Sequence, residues 1–244
     1  MNWIAALDAF FKAKDVYGKL AEVKKLNDYA KKVSSKKSLD WDDLKYFKNP
    51  VMEKALKNAK SAVAAADAAL KVKVDWPDSG SLAKFAAALK AAGQYGHDSP
   101  QAKKAVEAYR KCLVDYDKVL TGLVKDMTTR QKQLKDNLKL AKMLEEYGRT
   151  LHDAFMTCAK IPMGFSTAPQ AEFFSLSQDA QNFAGHMNSL ASRTQKLIDR
   201  NAKAMTEGNQ LIKDNKAWID WASKDATAGP DTLKKNEKAT KPRK

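Results

Sequence analysis

Two long runs of mostly apolar residues recur at alternating intervals of three and four, and they constrain the fold more than any other feature of the chain. The first run contains Val106, Tyr109, Leu113, Tyr116, Leu120, Leu123, Met127, Leu134, Ala141, Leu144, Leu151, Phe155 and Cys158. The second contains Leu176, Ala180, Phe183, Met187, Leu190, Leu197, Ala204, Leu211, Trp218 and Ala222. This heptad spacing is typical of helices that pack along their whole length, so it predicts two long α-helices.

The segment between the two runs predicts a reversal of the chain. The sequence KIPMGFSTAPQAEFF, at residues 160–174, carries little charge and contains Pro162, Gly164 and Pro169. Proline and glycine end one helix here, and a proline suits the first turn of the next helix. The two runs should therefore fold back on each other as an antiparallel hairpin.

Antiparallel folding about Phe165 also predicts which residues of the two helices meet. Gly148 falls opposite Phe183, so a large side chain meets a small one, as close packing requires. The polar interruptions coincide as well, because Arg130 falls opposite Asn201. Buried polar groups need partners, which favours this register.

The predicted fold is therefore all-α. We expect an elongated helical bundle built on a long antiparallel coiled-coil hairpin, about 99–160 and 169–223, with shorter N-terminal helices packed on its base. The predicted divisions are the N-terminal helices that pack on the hairpin (1–97), the hairpin itself (98–223, with its tip at 161–169) and a basic, disordered tail (224–244).

The net charge of +15 makes this a basic protein and favours contact with acidic surfaces. Only six of the 44 basic residues are Arg. Arg, rather than Lys, gives the bidentate phosphate contacts of nucleic-acid recognition, so nucleic acid is not an expected partner. An anionic membrane surface remains an alternative partner for the lysines.

The residue types that carry enzyme chemistry are few and dispersed. The chain holds three histidines, His97, His152 and His186, and two cysteines, Cys112 and Cys158. It contains no Glu-x-x-His motif, no glycine-rich phosphate loop and no Gly-x-Ser-x-Gly motif. We expect no enzyme activity, no metal site and no cofactor, and we interpret both cysteines as small buried hydrophobes.

Two groups of apolar residues are candidates for contact with a partner. The first is the predicted tip, with Ile161, Met163, Phe165, Phe173 and Phe174. These residues either meet a partner or cap the helical seam among themselves. The second lies on the first helix, with Trp3, Ile4, Leu7, Phe10 and Phe11. This face either docks on a membrane or a partner, or packs on the bundle.

These features predict a non-enzymatic helical interaction or scaffold protein that binds a partner protein, or a second copy of itself, through the tip and the flank of the hairpin. The alternative is a membrane-active α-helical protein, similar to pore-forming toxins or lipid-binding proteins, that inserts its tip or its first helix into anionic membranes. The sequence shows no secretory signal and no transmembrane segment. The default expectation is a cytoplasmic protein, with leaderless secretion as the alternative.

Overall fold

The computed structural model describes residues 3–13, 20–39, 43, 51–161 and 168–224. Six α-helices are assigned in these ranges: α1 (Trp3–Lys12), α2 (Leu20–Ser34), α3 (Val51–Lys71), α4 (Ser81–Tyr95), α5 (Pro100–Cys158) and α6 (Ala168–Lys224). The described ranges contain no β-strand, so the prediction of an all-α fold is confirmed.

The long helices α5 and α6 pack against each other as the predicted hairpin. The backbone N–H of Ala102 donates to Ser99 Oγ (3.1 Å), so Ser99 caps α5, and Pro100 takes the first helical position. Most apolar positions of the predicted heptad pattern are buried: Tyr109, Leu113, Leu120, Met127, Leu134, Ala141, Leu144, Leu151, Phe155 and Cys158 on α5, and Ala180, Phe183, Met187, Leu190, Leu197, Ala204 and Ala222 on α6.

The chain divides into two compact units, and both long helices contribute to each. The first unit combines Met1–Val74 with Thr129–Ala202, and the second combines Asp75–Thr128 with Lys203–Lys244. The predicted divisions, at residues 97 and 223, follow the order of the chain, whereas each compact unit joins segments that are distant in sequence.

The short N-terminal helices α1–α3 share a compact unit with residues 129–202 of the hairpin. The indole N–H of Trp3 donates to Asn201, and Asp67 of α3 pairs with Arg193, both on α6. These two polar contacts join α1 and α3 to residues 129–202 of the hairpin.

The second unit has its own aromatic core. Phe85 of α4 and Tyr109 of α5 are buried with ring centroids 5.3 Å apart, and Leu113 and Ala222 complete the buried cluster. Leu89, Trp218, Ile219 and Trp221 pack around it. Burial raises the pKa of Tyr109 to about 12, because the apolar surroundings disfavour the phenolate.

Glycines on the long helices allow close approach of neighbouring groups in both units. In the second unit, a Cβ atom on Gly208 would overlap the ring of Trp76 and lie 2.6 Å from Val124 Cγ2. In the first unit, a Cβ atom on Gly148 would lie 3.0 Å from both the backbone N and the Cβ of Ala184. Gly148 therefore marks a point where the α5 and α6 backbones nearly touch.

Replacing Gly148 by Val should destabilise the protein by about 1–3 kcal/mol, because the added methyl groups push against the α6 backbone. The matched control is Gly122→Val on α5, where nothing lies within 4 Å of the added Cβ. Gly and Val differ little in helix propensity, so the control should change stability by less than about 0.5 kcal/mol. Urea denaturation followed by helical circular dichroism measures both, and equal losses would contradict the close approach at Gly148.

Candidate functional site

The residues predicted at the tip do not share one environment. Ile161 and Phe173 are buried, and the Phe173 ring lies 6.3 Å from that of Phe155 at the end of the seam. Phe174 is 46% exposed, the largest exposure of any large apolar residue described on α6. The other two predicted tip residues, Met163 and Phe165, lie outside the described residues.

The predicted docking face of the first helix is turned into the bundle. Trp3, Leu7 and Phe10 are buried, whereas Ile4 and Phe11 are partly exposed. Fully burying a side chain of this size contributes about 1.5–3 kcal/mol. Detaching α1 to reach a membrane or a partner would forfeit several such contributions.

A chain of hydrogen bonds joins α1 to both long helices. The indole N–H of Trp3 donates to Asn201 Oδ1 (3.0 Å), Asn201 Nδ2 donates to Gln131 Oε1 (2.8 Å), and Gln131 Nε2 donates to the Ile198 carbonyl (3.2 Å). Asn201 is completely buried. Each buried polar atom in this chain has a partner, so the amides stabilise the seam instead of weakening it.

Two arginines of the long helices, Arg200 on α6 and Arg130 on α5, bind the end of α3 and the first helix α1. The Arg200 guanidinium donates to the carbonyls of Leu70 and Val72 at the end of α3, and it lies 5.0 Å from the centre of the Trp3 ring, in cation–π geometry. Arg130 forms a two-pronged ion pair with Asp8, with both N–O distances at 3.0 Å.

Asp67 of α3 and Arg193 of α6 form a further ion pair, with Arg193 Nε 2.6 Å from Asp67 Oδ1. The hydrogen bond from Arg193 lowers the pKa of Asp67, although partial burial acts in the opposite direction. This pair fixes α3 along one edge of α6.

The histidines are separated, as their heptad positions predict. His152 Nδ1 lies 2.9 Å from Ser177 Oγ and 3.1 Å from the Ser177 carbonyl. Ser177 is 2% exposed, so this pair joins α5 to α6 without an open face for a substrate. His186 lies on the other side of α6. Burial, together with the charge of Lys60, lowers its pKa.

Cys158 is completely buried, and burial raises its pKa to about 11, with a smaller contribution from the charge of Asp43. A thiol in this state is a poor nucleophile. The described part of the chain contains no group of three or more acidic, histidine or cysteine side chains arranged to hold a metal ion. Among the same residues, no helix has both the length and the apolar character needed to cross a membrane.

A surface of the first unit without exposed charged residues lies on the part of α6 that follows the turn. Its exposed residues contain no charged side chain: Ala171, Phe174, Ser175, Gln178, Gln181, Asn182, Gly185, Asn188, Ser192 and Gln195. On α5 the exposed residues between 131 and 157 are mostly charged: Lys132, Gln133, Lys135, Asp136, Lys139, Lys142, Glu146, Arg149, Asp153 and Thr157. We call the uncharged surface the neutral face of α6.

One edge of the neutral face carries charge in a regular series. Glu172, Asp179, His186 and Arg193 follow one another at seven-residue intervals, and all four are partly exposed. Residues seven apart lie nearly on one line of a helix. The two residues nearer the turn are acidic, and the two farther from it are a histidine and an arginine.

Comparison with protein-family models, with curated proteins and with solved structures finds no match to this chain.

Sequence reasoning singled out Phe174 but missed the neutral face around it. The net charge of residues 161–223 does not reveal the neutral face. That total includes Glu172 and Asp179, which lie at the edge of the face. Sorting the residues of α6 by helical face would have shown that one face lacks charged residues.

Replacing Trp3 by Phe removes the indole N–H and leaves Asn201 Oδ1 without that donor. We expect a loss of about 1–3 kcal/mol in the free energy of unfolding. The control is Trp221→Phe, because Trp221 Nε1 is buried with no hydrogen-bond partner among the described residues. Chemical denaturation of both variants measures the free energy of unfolding. If Trp221→Phe lowers it as much as Trp3→Phe does, the proposed role of the Trp3 hydrogen bond is refuted.

Cys158 should resist alkylation in the folded protein. At pH 8 the raised pKa leaves about one hundredfold less thiolate than an ordinary thiol would have, before steric protection is counted. Iodoacetamide labelling, resolved by mass spectrometry for Cys158 and for the partly buried Cys112, measures this directly. Equal labelling rates of Cys158 in native and urea-unfolded protein would contradict the burial.

Proposed function

We propose that this chain is a non-enzymatic helical interaction protein that docks a protein partner through the neutral face of α6, next to the hairpin turn. The observation that carries the proposal is the absence of charge on that face in a chain of which 30% is charged. Depletion of charged residues distinguishes the core of a protein–protein interface from the rest of a protein surface. Phe174 supplies an exposed aromatic side chain, a type enriched in such interfaces.

The chemistry of the neutral face favours protein over lipid. Gln178, Gln181, Asn182 and Asn188 present amides that can exchange hydrogen bonds with a protein partner. In the hydrocarbon of a membrane the same amides would lose their water without compensation, which costs several kcal/mol for each group. The face carries no Lys or Arg, so it offers no positive charge to a lipid phosphate.

The membrane-active alternative has one observation in its favour. Phe174 is exposed beside the turn, and the net charge of +15 attracts the chain to anionic surfaces. Against this, Trp3, Leu7 and Phe10 of α1 are already buried in the first unit, as is Phe173. Phe174 is the one exposed large apolar side chain among the described tip residues, and by itself it offers little apolar area for insertion.

A photo-reactive phenylalanine analogue at position 174 should form a discrete protein adduct in an extract of the source cells at about 0.5 M salt, where charge-only contacts are screened. The control carries the same analogue at Tyr95, which is 55% exposed on α4. We expect a specific adduct from position 174 and none from position 95. Indistinguishable adduct patterns, or no adduct from either position, would overturn the proposed docking function.

Co-sedimentation with anionic and neutral vesicles separates the two functions. The interaction protein should bind anionic vesicles only at low salt, through its lysines, and not bind neutral vesicles. Binding that survives high salt and is lost on Phe174→Ser would instead establish membrane insertion.

A further inference from the structure

The second unit contains a small cavity beside its aromatic core. The cavity lies where the start of α4 meets α5 and α6, and it is lined by Ser81, Leu82, Phe85, Tyr109 and Trp218. Its volume of about 10 Å³ admits one water-sized group. The cavity is partly open to solvent, and Leu82, at 50% exposed, is its most exposed lining residue. All five lining residues belong to the second unit, so the neutral face takes no part in it.

Tyr109 brings an unsatisfied hydroxyl to this cavity. The residue is only 3% exposed, yet no described residue forms a hydrogen bond with its hydroxyl. A buried hydroxyl without a partner lowers the stability of the fold. Because burial raises the pKa of Tyr109 to about 12, the hydroxyl keeps its proton at neutral pH. The cavity therefore offers a hydrogen-bond donor to the group that enters it.

Ser81 supplies a hydrogen-bond acceptor at the same cavity. It is the first residue of α4, and its Oγ lies 2.5 Å from Ser79 Oγ. A serine hydroxyl has two lone pairs, so Ser81 Oγ can accept one more hydrogen bond whichever serine donates in this pair. The Asp78 carboxylate accepts from the backbone N–H of Gly80 (3.1 Å) just before α4, and its negative charge disfavours an anion here. The polar groups therefore fit an uncharged ligand that both accepts and donates.

The other walls of the cavity favour an aromatic ligand. Phe85 and Tyr109 are buried with their ring centroids 5.3 Å apart, and Trp218 lies edge-on to Trp221 at 6.1 Å. Aromatic rings gain more from tilted contacts with one another than their buried area alone provides. Trp218 is partly exposed, so it and Leu82 leave apolar surface beside the cavity on which a ring can lie.

We propose that this cavity binds the hydroxyl end of a small uncharged phenol. The phenol hydroxyl fills the space of one water molecule, with its oxygen accepting from the Tyr109 hydroxyl and its proton donated to Ser81 Oγ. The aromatic ring stays at the opening, against Leu82 and Trp218. A water molecule alone could form the same hydrogen bonds, but it would leave that apolar surface uncovered. The site is separate from the docking function proposed above and does not depend on it.

Three ligands of similar size separate the contributions to binding. Phenol has both the hydroxyl and the aromatic ring, toluene replaces the hydroxyl with a methyl group, and cyclohexanol keeps the hydroxyl but has no aromatic ring. A ligand this small should bind in the low millimolar range. Saturation-transfer NMR titrations between about 0.1 and 5 mM measure all three dissociation constants. We expect phenol to bind about three- to tenfold more tightly than either of the others.

The variant Tyr109→Phe removes the hydroxyl and keeps the ring. It should weaken phenol binding about three- to tenfold, to the level of toluene, and leave toluene binding unchanged. The matched control is Tyr95→Phe on the same helix as Ser81, because Tyr95 is 55% exposed and does not line the cavity. The control should bind both ligands like the natural chain. Removing an unpartnered hydroxyl should not lower the thermal stability of Tyr109→Phe, so the variant remains folded.

The variant Leu82→Ala locates the ring of the ligand. It removes apolar surface at the opening and should weaken phenol and toluene by the same factor. Equal affinities of phenol and toluene, or no binding of phenol, would mean that the cavity holds water only and would overturn the proposal. A preference for phenol that persists in Tyr109→Phe would place the binding elsewhere, and cyclohexanol binding as tightly as phenol would overturn the aromatic ligand. None of these results bears on the docking function, which the photo-reactive residue at position 174 tests separately.

Discussion

The hydrogen-bonded chain of Trp3, Asn201 and Gln131 is the interaction on which the first unit depends. It joins α1, α5 and α6 and gives the buried Asn201 amide partners on two other helices. A buried polar residue at a seam position is a well-attested way to fix register, because any slip leaves the amides unpaired. Apolar heptads alone would tolerate a slip of one repeat at much lower cost. These hydrogen bonds thus select one alignment of α5 and α6 from the several that the apolar pattern permits.

The long hairpin could be predicted from sequence because its signal is repeated many times. The predicted helices, about 99–160 and 169–223, differ from α5 and α6 by at most two residues at either end. The contacts lie next to the predicted facing pairs: a Cβ on Gly148 would meet Ala184, the neighbour of Phe183, and Asn201 hydrogen-bonds to Gln131, the neighbour of Arg130. Shifts of one residue arise because the 3.6-residue turn of a helix drifts against a seven-residue repeat.

The position of the short helices could not be predicted in the same way. Their amphipathic faces fit any apolar flank of the hairpin, and specific polar contacts decide among the flanks. Those contacts, such as Asp67 with Arg193, join residues that no local pattern connects. The neutral face escaped prediction for a related reason. It is defined by the absence of charge on one face, and the net charge of a region does not reveal such an absence until its residues are sorted by helical face.

The contact between Trp3 and Asn201 also bears on how the protein is made, since 198 residues separate the two. Ribosomes add about 5–20 residues each second, so the indole waits on the order of 10–40 s before its partner exists. During that interval the aromatic face of α1 lacks the surface that covers it in the finished fold. Completion of the first unit is therefore tied to the synthesis of α6. Any factor that protects nascent apolar helices would act on this protein early, while its amino-terminal segment is still exposed.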